Sequence, residues 1–186
     1  EGFVEAARAM RRRVEDNISR SHASRELKLG RGGLRDVEFT VQLLQLVHGR
    51  TDAFLRVRST LEAIEALREG GYIARSDADQ LASCYRFLRA VEHRTQLPRM
   101  RRNHLIPDKD RDLRVLGRAM DPARFPDADA IRAALDEVRA SVRALHEDVF
   151  YRPIIAATAS LREDEVSLHA EGARDRLAAI GYSDPA

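Results

Sequence analysis

The stretch IRAALDEVRASVRALHEDV, residues 131–149, places Ile131, Leu135, Val138, Val142, Leu145 and Val149 at alternating steps of four and three. That spacing lays one apolar stripe along an α-helix, with charged residues on the remaining faces. The same pattern recurs along the chain. No segment alternates apolar and polar residues over the length of a strand, and no internal repeat is visible. The fold class read from the sequence is therefore all-α, a helical bundle of about five to seven helices.

Working towards the amino terminus, a short helix is expected around Leu113, Leu116 and Met120. Before it, Pro98 to Pro107 carries many cations and few apolar residues, which reads as a basic loop. A long helix runs from Ser76, which with Asp79 resembles an N-cap, through Leu81, Tyr85, Leu88 and Val91 to Leu97. Val57, Leu61, Ile64 and Leu67 mark another, stopped at Gly70-Gly71, where glycine supplies a left-handed cap. Leu34 to His48 is apolar on most faces, so it is expected to lie centrally and to be covered on most sides. Phe3, Ala7, Met10, Val14 and Ile18 trace the first helix. Beyond the opening stretch, Pro153 ends the pattern, and the tail from Ser160 has weaker periodicity before Gly181. The expected organisation is a helical domain over 1–156 followed by an extension over 157–186.

With 186 residues and 44% hydrophobic content, the chain can bury a sizeable core. Aromatic residues make up only 5% and Trp is absent, which favours helices over sheets. The 32 basic and 30 acidic residues nearly cancel, leaving a net charge of +2. A nucleic-acid partner gripped through broad positive charge is thereby excluded, and any basic site must be local. Lys28 and Lys109 are the only lysines among so many arginines. A lone Cys84 forms no internal disulfide, and neither a secretory leader nor a membrane-length apolar run is present, so a cytoplasmic location without membrane contact is expected. The chain opens at Glu1 already in helical pattern, which suggests a domain cut from a longer polypeptide.

The most purposeful segment is Lys28-Leu29-Gly30-Arg31-Gly32-Gly33-Leu34-Arg35, a glycine-rich entry flanked by cations at the start of an apolar helix. Backbone N–H groups at a helix N-terminus are unpaired and lie at the positive end of the dipole, so such an entry can hold phosphate. Glycines before a helix also simply permit a tight turn. The following helix shifts the balance: Arg35, Glu38 and Gln42 fall at steps of three and four and share a face. An internal Arg35–Glu38 salt bridge or a cleft wall both explain that face, and the nearby Lys28 and Arg31 favour the cleft. Phosphate or nucleotide binding is thus expected at Lys28, Gly30, Arg31, Gly32, Gly33 and Gln42, with Arg35 and Glu38 on the same cleft wall as Gln42.

Other polar groups carry less. Asp77/Asp79 and Asp127/Asp129 lie at helix starts, where dipole and capping physics alone place carboxylates, so neither pair is read as a metal site. No metal ligand is assigned within the chain. His93 and His104 lack a neighbouring nucleophile. The loop with Arg99, Arg101, Arg102 and His104 is a solvated loop or a contact for an acidic partner or phosphate.

Lys28 to Gln42 resembles the signature Lys-Leu-Gly-x-Gly-Gly-Ile-Arg-Asp/Glu-Ile/Val-Glu-Phe-x-Val-Gln of the glutamine-synthetase adenylyltransferase family. Glu92-His93-Arg94-Thr95-Gln96-Leu97 and His104-Leu105-Ile106-Pro107 are similar to two further blocks of that family, in the same order. The resemblance implies the helical domain that follows the nucleotidyltransferase domain in each half of the bifunctional enzyme. Arg176-Leu177 with Gly181-Tyr182-Ser183-Asp184-Pro185 is similar to the stretch leading from the first half into the connecting region, and so implies the adenylyl-removing half. There the family removes AMP from a tyrosine of glutamine synthetase by phosphorolysis, releasing ADP.

The family's Gly-Ser-x-x-Asp-x-Asp metal motif belongs to the preceding catalytic domain and does not occur here, so the resemblance implies no activity for this chain alone. Mg²⁺ and ATP, ADP or phosphate are implied for the whole enzyme only. There the resemblance implies that Lys28, Arg31 and Arg35 face the metal site and stabilise phosphate charge, with Arg35 and Glu38 in supporting catalytic roles and Glu38 orienting Arg35. Glutamine synthetase, the chain's own nucleotidyltransferase domain and the PII signalling protein are the implied partners. Three alternatives stand beside this reading. The chain could dock glutamine synthetase or PII without a catalytic role, or it could come from the adenylylating half or from a PII uridylyltransferase. It could also be a structural bundle whose glycine loop only caps a helix.

Overall fold

The structure is a computed structural model, and it describes residues 9–11, 13–14, 18, 22–97 and 104–148. It contains α1 (Leu34–His48), a 3₁₀ turn (Ala53–Leu55), α2 (Thr60–Glu69), α3 (Arg75–Gln96), α4 (Asp110–Met120) and α5 (Ala128–His146). Among the described residues no strand forms, only an isolated antiparallel bridge between Glu26 and Leu105. The all-α reading is correct. Residues 9–11 and 13–14 are helical, as the first periodic stretch predicts. The loop residues Arg99, Arg101 and Arg102 and the whole 157–186 extension lie outside the described residues. Among those described, no helix is long and apolar enough to cross a membrane.

The described residues divide into two compact units, one drawn from those up to Val37 with those in Ser83–Arg143 and the other from Glu38–Ala82 with those from Ala144 on. In the first unit the periodic residues are the ones that leave water: Leu88, Val91 and Ile131 are fully buried, with Leu113, Leu116 and Leu135 nearly so. Burying side chains of this size contributes about 1.5–3 kcal/mol each before conformational entropy is subtracted. Asp127 caps α5, its Oδ1 accepting the Ala130 N–H at 2.8 Å. Such a cap contributes about 1 kcal/mol. The carboxylate that a metal-minded reading would notice is thus occupied at a helix start.

In the second unit, Ser59 caps α2, and Gly71 takes the left-handed conformation at φ +73°. Tyr72 N–H donates to Leu67 O (2.9 Å) and Gly71 N–H to Arg68 O (3.1 Å), the paired bonds of a Schellman ending. Val57, expected within α2, precedes it, because the Ser59 cap sets the start. Ser76 likewise is not a cap: α3 already begins at Arg75, and the Ser76 hydroxyl donates to Asp77 instead. Asp79 pairs with Arg68 at 3.1 Å. α1 departs from expectation at its end, where Leu46 is 66% and Val47 51% exposed. Its buried apolar residues are Leu34, Val37, Val41 and Leu43, so the cover stops before its last turn.

His48 closes α1, buried and stacked on Tyr72 with ring centroids 4.2 Å apart. The Tyr72 hydroxyl donates to the Asp52 carboxylate. Burial pulls the His48 pKa below its ordinary 6.5, against the opposing attraction of Asp52. The folded state therefore favours the neutral ring. Above about pH 6.5 both folded and unfolded states hold it neutral. As pH falls through that value the unfolded chain protonates first, so stability declines. His48→Gln should flatten the decline between pH 7 and 5 in urea titrations relative to the native chain, and parallel curves would dismiss this account.

Candidate functional site

The glycine-rich segment belongs wholly to the first unit up to Val37, and its geometry begins with the residues before it. His22 O accepts the N–H groups of Arg25 (2.9 Å) and Glu26 (2.8 Å), turning the chain. Leu27 N–H then donates to His104 O and Ile106 N–H to Arg25 O, both at 2.8 Å, so residues 25–27 run antiparallel to 104–106. The Glu26 carboxylate accepts the Lys28 and Leu29 amides. Leu27 is buried as the loop's apolar anchor.

The helix entry follows from this frame. Gly33 N–H donates to Gly30 O (3.0 Å), Leu34 N–H to Leu27 O (3.1 Å), Arg35 N–H to Lys28 O (3.0 Å) and Asp36 N–H to Gly33 O (3.1 Å). Gly32 N–H donates to the Asp36 Oδ2 at 2.7 Å. Every amide from Gly32 to Asp36 is thus already paired within the chain. A phosphate approaching here meets side chains rather than the open N-terminal amides that the sequence suggests.

Two arginines clamp the loop by its carbonyls. Arg11, 4% exposed, donates to Leu29 O at 2.9 Å and forms an ion pair with Asp36 at 2.6 Å. Arg139, on α5, donates to Arg31 O at 3.2 Å, to Ser24 O, and to Glu26 O at 3.5 Å. The glycines make this approach possible. A Cβ at Gly30 would stand 2.3 Å from Glu26 O and 2.8 Å from the Arg139 guanidinium. At Gly32, with φ +69°, it would stand 2.1 Å from the Arg139 carbonyl oxygen, and at Gly33 2.5 Å from Leu27 O. Side chains are excluded from all three positions.

The expected site residues therefore fall into two groups. Gly30, Gly32 and Gly33 are buried and shape the turn, while Lys28 and Arg35 are half-buried and Arg31 is exposed. Along α1, Glu38 is half-buried and Gln42 exposed, so the face they share with Arg35 is open to water. His104 turns inward: its Nδ1 lies 3.2 Å from Glu92 Oε1, on a carboxylate that also pairs with Arg89. Its backbone carbonyl is the acceptor for Leu27.

Three residues that organise the loop escaped the sequence reading. Asp36 had a usable signal, since Asp36 and Thr40 are polar and four apart between the apolar positions of α1, and both prove buried. Arg11 and Arg139 had none, because one arginine among so many carries no local mark of burial.

Known proteins share this sequence over its whole length. Residues 8–150 match the family described as GlnD PII-uridylyltransferase. The chain is 53% identical over 186 residues to the bifunctional glutamine synthetase adenylyltransferase/adenylyl-removing enzyme of Streptomyces coelicolor, covering 100% of the chain and 18% of that protein. It is 53% identical over the same span, with the same coverage, to the enzyme of that name from Streptomyces avermitilis. Against that of Corynebacterium glutamicum it is 47% identical over 190 residues, again 100% of the chain and 18% of the relative. The chain thus spans about a fifth of the length of these relatives.

Proposed function

Because the chain belongs to the GlnD PII-uridylyltransferase family and aligns throughout with one segment of bifunctional glutamine synthetase adenylyltransferase/adenylyl-removing enzymes, we propose that it is a helical domain completing a nucleotidyltransferase site. The half we assign is the adenylyl-removing one, on the likeness of residues 173–185 to the stretch entering the connecting region. The reaction is then phosphorolysis: phosphate oxygen attacks the adenylyl phosphorus, the tyrosine oxygen leaves, and ADP is released. Glutamine synthetase is the protein substrate, and the PII signalling protein a further partner.

The supporting observation is the loop itself, which holds Lys28, Arg31 and Arg35 around a turn fixed by buried glycines and two clamping arginines. Their positive charge stabilises the phosphate groups of the reacting complex, with Glu38 orienting Arg35 one helical step away. Among the described residues no group of three or more His, Cys, Asp or Glu side chains gathers to hold a metal ion. On the family resemblance, Mg²⁺ is assigned to carboxylates of the nucleotidyltransferase domain, where it would neutralise charge on the transferring phosphate.

Preorganised charge of this kind typically contributes on the order of a hundredfold in rate per group. In the full-length enzyme, Arg35→Ala should slow deadenylylation by about that factor, with Arg35→Lys recovering part of it and the fold unchanged by circular dichroism. Near-native deadenylylation by a folded Arg35→Ala enzyme would eliminate this role.

A further inference from the structure

Beside the glycine loop lies an open cleft of about 460 Å³, lined by Ser24, Gly30 and Arg31 from the loop side and Asp136, Arg139 and Arg143 from α5. Three arginines against one carboxylate give its walls an excess of positive charge. Arg139 and Arg143 are four residues apart on α5, so they stand one turn apart on the same helix face. Arg143 is exposed.

Arg139 is unusual among these cations. A guanidinium carries five N–H donors. Among the described residues, three of those of Arg139 go to the carbonyls of Ser24, Glu26 and Arg31, so two remain for another acceptor. Carbonyl oxygens satisfy hydrogen bonds but bring no full negative charge. Burial and the charge of Arg143 accordingly disfavour its protonated form, against the attraction of Asp136, Asp36 and Glu26. A desolvated guanidinium that keeps two unused donors beside an open cleft has an incomplete set of acceptors. A multiply charged anion would complete it, and the planar fork suits the oxygens of a phosphate.

We propose that the cleft between the glycine loop and α5 binds a phosphate group, contacted by Arg139 and Arg143 with Arg31 at its rim. The site shares Arg31 with the loop's proposed role but is centred on Arg139 and Arg143, and it does not depend on the assignment to an adenylyl-removing enzyme. Inorganic phosphate and the terminal phosphate of a nucleoside diphosphate present the same chemistry, so both serve as probes.

The test is calorimetric titration of the 186-residue chain with inorganic phosphate and, separately, with ADP at fixed chloride concentration. At least one should bind saturably at one equivalent. The variant Arg143→Gln should weaken that binding by about tenfold, with Arg143→Lys intermediate. Arg118→Gln, an exposed change of equal charge on α4, should leave it within about twofold. The probe bound more tightly in an Arg143-dependent manner identifies the source of the phosphate. Absence of saturable binding by both probes overturns the proposal, as does native affinity in folded Arg143→Gln or an equal loss in Arg118→Gln.

Discussion

Gly32→Ala should lower the unfolding free energy by roughly 3 kcal/mol or more, far beyond an ordinary surface substitution. Two costs add. The left-handed backbone at φ +69° costs an alanine about 1–2 kcal/mol. Its new Cβ would also stand 2.1 Å from the Arg139 carbonyl oxygen, a backbone atom that cannot rotate away, and overpacking of this sort costs about 1–3 kcal/mol. Gly71 isolates the first cost, since its φ is +73° yet nothing lies within 4 Å of an added methyl. Gly71→Ala should therefore lose only about 1–2 kcal/mol. Urea denaturation of the two variants compares them directly. Equal losses would mean that the loop relaxes away from α5 without cost and that the contact with Arg139 is unimportant.

The second large effect centres on Asp36. Its carboxylate, 3% exposed, takes the Arg11 guanidinium on one oxygen and the Gly32 amide on the other. Asp36→Ala strands a buried cation and an unpaired amide together, and breaking a buried pair from one side typically costs about 3–5 kcal/mol. Asp36→Asn retains acceptor capacity and should lose less, which keeps the comparison measurable if the alanine variant fails to fold. Removing both charges in Arg11→Met/Asp36→Leu should recover much of the loss, because the desolvation cost disappears with the attraction. Equilibrium unfolding of the native chain, the Arg11→Met and Asp36→Leu single variants and the double variant forms a double-mutant cycle. A coupling energy near zero would show the pair to be structurally idle.

The helices were readable because burial and periodicity are one phenomenon: Ile131, Leu135, Val142 and Leu145 are apolar at helical steps, and all four are buried. Helix ends were less readable, since a single hydrogen bond decides them. Ser59 rather than Val57 starts α2, and Ser76 sits inside α3. The loop was legible as a special place but not in its workings. Its glycines announced close approach without naming what approaches, which is the Arg139 backbone more than a hundred residues away in sequence. The free-amide cradle expected at Leu34 is filled by Lys28, Leu27 and Gly33 carbonyls, a register that only the folded turn determines.

The loop is gripped almost entirely through main-chain oxygens, those of Ser24, Glu26, Leu29, Gly30 and Arg31, which every amino acid offers alike. Those grips do not depend on which side chain the loop displays at position 28. In the proposed phosphate role, scaffold and chemistry are then separable: a substitution at position 28 would retune which anion the loop favours, while the glycines and the two clamping arginines preserve the turn.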